Sequence, residues 1–281
     1  MPGATLNQRI QHFYDESTHL WLDTWGEHMH HGFYGSDGKA KKGRQEAQID
    51  LIESLLSFGQ VKQATNILDA GCGVGGSARY LAKKYKAQVL GMTLSPVQAK
   101  AAKAYTEKAD LSDSVRFKVQ DMMTLEAEQD PFDLVWSMES AEHIADKPGL
   151  FGLFHSRMAT GGQFVMATWC HRNLPPDLST SDQKLLSALY RIYNLPPMCS
   201  EQDLDRYAAQ AGFANIETAD WSDAVAPFWG EVIRSALEWK NFKLLMRTGT
   251  STLAGAWAMR YMRKGYQRGL IRFVVIKGQK I

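Results

Sequence analysis

The sequence predicts an α/β fold: a seven-stranded, mostly parallel sheet with helices on both faces. Three observations carry this. Short apolar runs rich in β-branched residues alternate with helical patterns from residue 66 to residue 169. Strands spaced by helices of that length pair in parallel, with crossover helices on the faces. The run Ile67-Leu68-Asp69 leads into Gly71-Cys72-Gly73-Val74-Gly75-Gly76, and a helical pattern follows from Ser77 to Lys84. That order is strand, glycine turn, helix, in which the backbone and the opening amides of the helix face a ligand. Finally, 281 residues at 44% hydrophobic and 22% charged content suit one large globular domain with insertions.

In chain order, residues 7–21 read as a helix with Ile10, Phe13, Tyr14 and Ser17 on one side. The stretch from Trp21 to Tyr34 is aromatic and histidine-rich without a clean period. Gly35-Ser36-Asp37-Gly38 and the basic run from Lys39 to Arg44 form a loop, and Ile49, Ile52, Leu55 and Leu56 make a helical stripe. The first strand falls at 66–70 and the second at 88–93. Ser95 is a good N-cap and Pro96 suits the first helical position, so a helix runs from Pro96 to about Ala109. Residues 115–119 alternate as a third strand and 132–137 form the fourth. Pro148 opens a helix, Gly161-Gly162 is a turn, and Gln163 to Trp169 is the fifth strand.

After Cys170 the regular alternation stops. Prolines break the chain at 175–176 and 196–197, around a helix with Leu185, Leu186, Leu189 and Ile192. A short helix covers Gln202 to Gln210, and Asn215 to Ala219 reads as a sixth strand. Residues 224–266 are helical and aromatic, with Trp229, Trp239, Phe242, Trp257 and Tyr261 among them, and the last strand is 271–276. The expected organisation is one domain over 1–281, with its core at about 46–170, 213–221 and 270–281. A helical cap from 7–34, 171–200 and 222–268 is expected over the carboxyl ends of the strands, where open α/β sheets bind ligands.

Composition narrows the function. A net charge of +2 gives no electrostatic case for nucleic acid. No apolar run is long enough to span a bilayer. The opening residues show neither a signal pattern nor a transit-peptide composition, and three cysteines make no framework, so a cytoplasmic protein is expected. His28, His30 and His31 have no carboxylate or cysteine completing a ligand set, so no metal is expected and they read as a polar lining or lid. The aromatic and methionine residues serve a core, and a greasy substrate pocket would use the same types.

The glycine turn fits a G-x-G-x-x-G pattern, so the glycines alone do not choose among cofactors. Asp69, two residues before Gly71, does. An acid there repels a pyrophosphate but can hold an amine or a ribose hydroxyl. A cofactor with an amino acid end and no phosphate fits, namely S-adenosyl-L-methionine, with S-adenosyl-L-homocysteine as product. Asp69 and the turn residues Gly71, Cys72 and Gly73 are then expected at the methionine end; Cys72 also reads as a small residue required by a tight turn. The position about 20 residues past the glycines, where a ribose-binding acid is usual, is Thr93 in the run Thr93-Leu94-Ser95-Pro96-Val97-Gln98. Asp121 after the third strand suits an adenine amine, with Met122 against the ring, although a solvent-facing strand end is a serious competitor. Ser137 opens the cleft-facing loop that holds Glu139 and His143. Four residues apart, these two share a face on a helical turn. His143 is read either as a base that takes an acceptor's proton or as a structural histidine oriented by Glu139.

The D-x-G-C-G-x-G-G form at 69–76 resembles the first motif of class I methyltransferases, which have a Rossmann-like fold. Thr93-Leu94-Ser95 with Gln98 resembles a subset, including tocopherol and cyclopropane-fatty-acid enzymes, in which Thr and Gln replace the ribose carboxylate. Phe13-Tyr14-Asp15-Glu16-Ser17, the stretch from Trp25 to Tyr34, Asp133 to Ser140, Thr168 to Leu174, and Thr218 to Trp229 together resemble the gamma-tocopherol C-methyltransferases and related tocopherol-methyltransferase-like enzymes. The likeness runs from about residue 10 to nearly the end of the chain. It implies methylation of a prenylated phenol at the ring carbon ortho to the hydroxyl. His143 would be the base, with Tyr14 and Glu139 orienting substrate or cofactor. Indole-alkaloid N-methyltransferases are similar too, so methylation of an amine is the alternative. The implied partners are a small hydrophobic aromatic substrate and, transiently, a membrane surface.

Overall fold

The structure is a computed structural model, and it describes residues 4–128, 130–231 and 250–281. Trp239 and Phe242, expected in the cap, lie outside the described residues. The strands are β1 (Asn66–Ala70), β2 (Gln88–Thr93), β3 (Val115–Val119), β4 (Phe132–Met138), β5 (Met158–His171), β6 (Phe213–Asp220) and β7 (Ile271–Lys280). They form one sheet in the order β3-β2-β1-β4-β5-β7-β6. The first five pair in parallel, and β7 runs antiparallel between β5 and β6.

The strand sequences explain a sheet covered on both faces. Ile67, Val89, Leu134, Val165 and Val275 bury into one apolar layer, and their neighbours Leu68, Leu90, Val135, Phe164 and Val274 into the other. Successive side chains of a strand point to opposite faces, so a strand buried on both faces reads as continuously apolar. The first layer is filled by α2 (Arg44–Phe58), α3 (Gly76–Tyr85) and α6 (Thr180–Ile192) through residues such as Leu51, Leu55, Leu81 and Leu186. The second is filled by α5 (Lys147–Arg157) and α7 (Glu201–Gln210) through Leu150, Phe151, Phe154 and Leu204. Each such side chain contributes about 1.5–3 kcal/mol when fully buried.

Further helices among the described residues include α1 (Leu6–Trp25), α4 (Pro96–Lys108), α8 (Ser222–Val225) and α9 (Thr250–Gln267). A capping box at Thr5 starts α1, and Ser95 caps α4 by accepting from the Gln98 N–H. No described helix is long and apolar enough to cross a membrane.

Three elements differ from expectation. Helix α1 continues four residues past the expected end, into the aromatic stretch. The expected turn at Gly161-Gly162 is an irregularity inside a longer β5, where the register against β4 shifts between Phe132↔Met158 and Leu134↔Gln163. The expected helical turn joining Glu139 to His143 does not form. Glu139 has a left-handed φ of 52°, and a 3₁₀ turn begins only at Ala141 and ends at His143. Glu139 and His143 are therefore not stacked on one helical face.

Candidate active site

A cavity of about 610 Å³ lies at the carboxyl ends of β1, β2, β3 and β4. Its walls include Asp69, Gly71, Cys72, Gly73, Thr93, Leu94, Gln98, Asp121, Met122, Glu139, His143 and Tyr14, so every sequence-predicted site residue except Ser137 lines it. Ser137 lies just behind the wall, fully buried, and its hydroxyl is 3.0 Å from that of Ser140.

The glycine turn is shaped by steric necessity. Gly71 has φ 94°, and a Cβ there would sit 2.1 Å from the Cβ of Ser140, whose hydroxyl donates to the Ala70 carbonyl at 2.5 Å. The Gly71 and Cys72 N–H groups donate to the Met92 carbonyl, at 3.1 and 2.8 Å. These bonds sew the turn to β2. Gly73, at φ 53°, has nothing within 4 Å of its absent side chain. Its backbone is open to close approach by a ligand.

Asp69 is 2% exposed and its carboxylate lies near the Ala78 N–H at the start of α3. Its Oδ2 has no partner among the described residues. Burial pushes its pKa up to about 7, against the opposing pull of that N–H and of Arg79. A buried carboxylate with a spare oxygen needs a cation or a donor, which the ammonium of an amino acid end supplies. The residues present therefore fit S-adenosylmethionine.

At the end of β2 the Thr93 hydroxyl donates to Gln98 Oε1 at 2.7 Å, and both side chains are buried. The Gln98 amide nitrogen, 3.9 Å from Met29 Sδ, keeps a second N–H available. Asp121 is more engaged than expected: it accepts from the Met123 N–H at 2.9 Å and from the Asn7 amide at 2.7 Å. Helix α1 thus reaches the ends of three strands: Asn7 at Asp121, Asp15 accepting from Ser95 at 2.5 Å, and Tyr14 at His143.

The catalytic candidates form two histidine sites rather than one. The Tyr14 hydroxyl lies 2.8 Å from His143 Nε2. Burial, with Glu142 and Glu139 nearby, pushes the Tyr14 phenol well above its ordinary range, so it stays protonated. Burial and Lys147 lower the His143 pKa to about 4, so the ring is neutral at pH 7. Glu139 does not orient His143, as one reading had it; Tyr14 does. Glu139 instead takes both donors of His31, the backbone N–H at 2.7 Å and Nδ1 at 2.6 Å. Gln48, fully buried, donates to the His28 and His30 carbonyls and holds the strap that carries His31. His28 and His30 lie ring to ring, their pKa values lowered by burial to about 4 and about 3. Among the described residues no cluster of His, Cys, Asp or Glu side chains is arranged to hold a metal ion.

Two polar residues of the site were missed by sequence reasoning. His31 was read only as lining, because its partner Glu139 is 108 positions away. Glu142 is 2% exposed and accepts from the Thr168 hydroxyl at 3.0 Å, and burial together with Glu139 pushes its pKa up to about 8. Its position beside His143 in the cleft loop was the available signal.

The comparisons with known proteins bear on this site. The family model described as mycolic acid cyclopropane synthetase matches residues 4–220. The chain is 44% identical to a probable chloroplastic tocopherol O-methyltransferase of Oryza sativa subsp. japonica, over 99% of this chain and 79% of the relative. It is 42% identical to the chloroplastic tocopherol O-methyltransferase of Arabidopsis thaliana, over 98% and 82%. It is 33% identical to norajmaline N-methyltransferase of Rauvolfia serpentina, over 99% of both chains. A cyclopropane synthase from Mycobacterium tuberculosis shares the fold over 100% of both chains, with a TM-score of 0.83 at 18% identity.

Proposed function

The chain belongs to the mycolic acid cyclopropane synthetase family of S-adenosylmethionine-dependent methyltransferases, and from that premise we propose that it methylates a prenylated phenol of the tocopherol type, at the ring carbon ortho to the hydroxyl. The observation that carries this is the match to two tocopherol methyltransferases over nearly the whole chain, cavity walls included. The part of the cavity wall formed by Trp169, Tyr193, Phe228 and Trp229 suits an aromatic ring and its prenyl tail. Burying that tail contributes about 0.8 kcal/mol per methylene.

When bound, the cofactor supplies an electrophilic methyl on a sulfonium. In this reading Asp69 holds its ammonium, Gly73 lets the backbone lie close to it, and Thr93 and Gln98 hold the ribose. Leu94 and Met122 flank the adenine and Asp121 accepts from its amine while still capping the turn at Met123. Cys72 lines the cavity in the turn beside Gly73, and Ser137 supports the loop from behind the wall. Tyr14 and His143, bonded to each other, form the wall beside the acceptor and fix its approach. Alignment is the main catalytic contribution of such a wall, because a near-attack geometry removes much of the entropic barrier.

We place the enzyme in the cytoplasm, in transient contact with the membrane surfaces where prenyl lipids reside. The two tocopherol relatives are chloroplastic, and cell fractionation against organelle markers decides between the locations. A second reading, methylation of an indole-type amine, draws on the likeness to norajmaline N-methyltransferase. The deciding experiment is incubation with methyl-labelled cofactor and a panel of tocopherols, prenylated quinols and indole amines. NMR of the product then locates the new methyl on carbon, oxygen or nitrogen. Turnover of amines with none of any phenol overturns the prenyl-phenol reading.

A further inference from the structure

The site holds a second histidine whose surroundings the cofactor does not explain. His31 is 2% exposed, and its ring packs against Phe228 at 4.6 Å, Trp229 at 5.0 Å, Phe273 at 5.3 Å and Trp169 at 6.0 Å between centroids. Its Nδ1 lies 2.6 Å from Glu139 Oε2. A carboxylate can only accept, so Nδ1 carries the proton and Nε2 is a bare acceptor. That Nε2 is buried and has no partner among the described residues. The same holds for Trp169 Nε1 and Trp229 Nε1 beside it. A buried polar atom without a partner is costly, because it has given up its hydrogen bonds to water. An acceptor and two indole donors left unpaired in one aromatic enclosure point to a ligand that both donates and accepts. A hydroxyl on an aromatic ring does both.

Glu139 adds a second observation. It adopts a left-handed backbone at φ 52°, a conformation unfavourable for a side chain this size. Its N–H donates to the Ala167 carbonyl at 2.8 Å, which holds it there. Local strain of this kind persists where the surroundings enforce it, often at functional sites. Here it aims both carboxylate oxygens at His31. Such a carboxylate fixes the tautomer and stabilises the imidazolium that forms when Nε2 gains a proton.

We propose that His31, held by Glu139, is the catalytic residue that receives the acceptor's hydroxyl proton, with the Trp169 and Trp229 indoles holding the oxygen. This deepens the prenyl-phenol reading and rests on it. The O–H bonding pair stays on the acceptor's oxygen and enriches the ortho carbon. That carbon forms the bond to the methyl, and the pair of the broken S–CH3 bond stays on sulfur. The ring proton at that carbon then leaves to solvent as aromaticity returns, and the proton on Nε2 goes back to the oxygen. One proton is released per turnover. His143 is the poorer base, because its Nε2 is already shared with Tyr14 and its ring is held neutral. The charged and titratable groups near His31 are Glu139, His30, whose Nδ1 is 2.8 Å from the His31 carbonyl, and Tyr266, whose phenol burial pushes upward.

The test compares wild type with His31→Gln and Glu139→Gln in two assays. In the first, turnover of a prenylated phenol is followed from pH 6 to 10, with cofactor affinity measured alongside. General-base help is typically worth about 10²–10⁴-fold. His31→Gln is expected to lose turnover by that factor, keep cofactor affinity within about twofold, and recover part of the loss as the phenol ionises near pH 10. Glu139→Gln offers one acceptor oxygen to two donors, so a smaller loss of the same kind is expected. The second assay measures binding of the phenol and of its methyl ether to the enzyme complexed with S-adenosylhomocysteine. Wild type is expected to prefer the phenol roughly fivefold to tenfold, and His31→Gln to lose that preference. Wild-type turnover by His31→Gln, or an unchanged preference, overturns the proposal. If His31→Gln does not fold, Glu139→Gln decides by the same readings. If wild type turns over no phenol, the acceptor reading fails, while the phenol-to-ether ratio still decides for or against His31.

Discussion

Replacing Asp69 by asparagine should make the protein without cofactor more stable and its grip on the cofactor weaker. Asp69 is buried with one oxygen unpaired, and its pKa is pushed from 3.8 up to about 7. A carboxyl with a higher pKa in the folded than in the unfolded chain binds its proton more tightly when folded. The folded state therefore loses stability as pH rises from about 4 to about 7, and the full deficit persists above that. The difference between about 7 and 3.8, at 1.36 kcal/mol per pH unit, makes that deficit about 4 kcal/mol. By the same linkage less than half of it is present at pH 5. Asparagine has the same shape and no charge. The stability of Asp69→Asn relative to wild type should thus improve by roughly 2–3 kcal/mol between pH 5 and pH 8. Urea titrations without cofactor at the two pH values measure this, as a midpoint shift on the order of 1 M for a slope of about 2–3 kcal/mol/M. Cofactor affinity by calorimetry at pH 8 should move the other way, weaker by roughly tenfold to a hundredfold, the range for a charged hydrogen bond. A stability gap that stays constant with pH refutes the picture of an uncompensated buried acid. A gap that widens while affinity is unchanged refutes Asp69 as the ammonium site.

Tyr14→Phe and His143→Ala should each lower kcat/KM on a phenol, and the double variant should cost less than the sum. A double-mutant cycle should give a coupling of about 0.5–1.5 kcal/mol for the 2.8 Å bond, and a coupling of zero would mean the pair does not act as a unit. Gly71→Ala forces a Cβ to within 2.1 Å of Ser140 at φ 94°, so thermal denaturation should show a loss of about 2–4 kcal/mol; an unchanged Tm would contradict the tight seat of the turn. Hydrogen exchange with and without acceptor should show protection in 7–34, 171–200 and α9, and protection confined to 66–122 would reject those segments as the substrate cap.

Much of the fold was legible because its signals are local. Short apolar runs, the Ser95-Pro96 helix start and the glycine turn each depend on residues within a few positions of one another. The same locality made Asp69 informative, since its distance from the first glycine is set by the end of a strand. Errors arose where local rules were stretched. Gly161-Gly162 looked like a turn because glycines usually mark one, yet pairing with β4 absorbs them as an irregularity inside β5. Glu139 and His143 looked like helical neighbours because four positions make one helical turn, but the left-handed residue at 139 breaks the path before the 3₁₀ turn begins.

The order of strands and helices, and the chemistry available at each strand end, were written along the chain. Which side chains meet across the cavity was not. Glu139 meets His31 across 108 positions, and Tyr14 meets His143 across 129. Asn7 reaches Asp121 in the same way. These contacts depend on how the sheet twists and where α1 and the histidine strap settle on it. Burial then sets the chemistry: Asp69 and Glu142 are acids whose protons are held near neutral pH chiefly because packing removes their water, with Glu139 adding to the effect at Glu142. A linear pattern specifies the elements through local backbone preference. The pairing and desolvation of distant groups are free energies of the assembled tertiary structure alone.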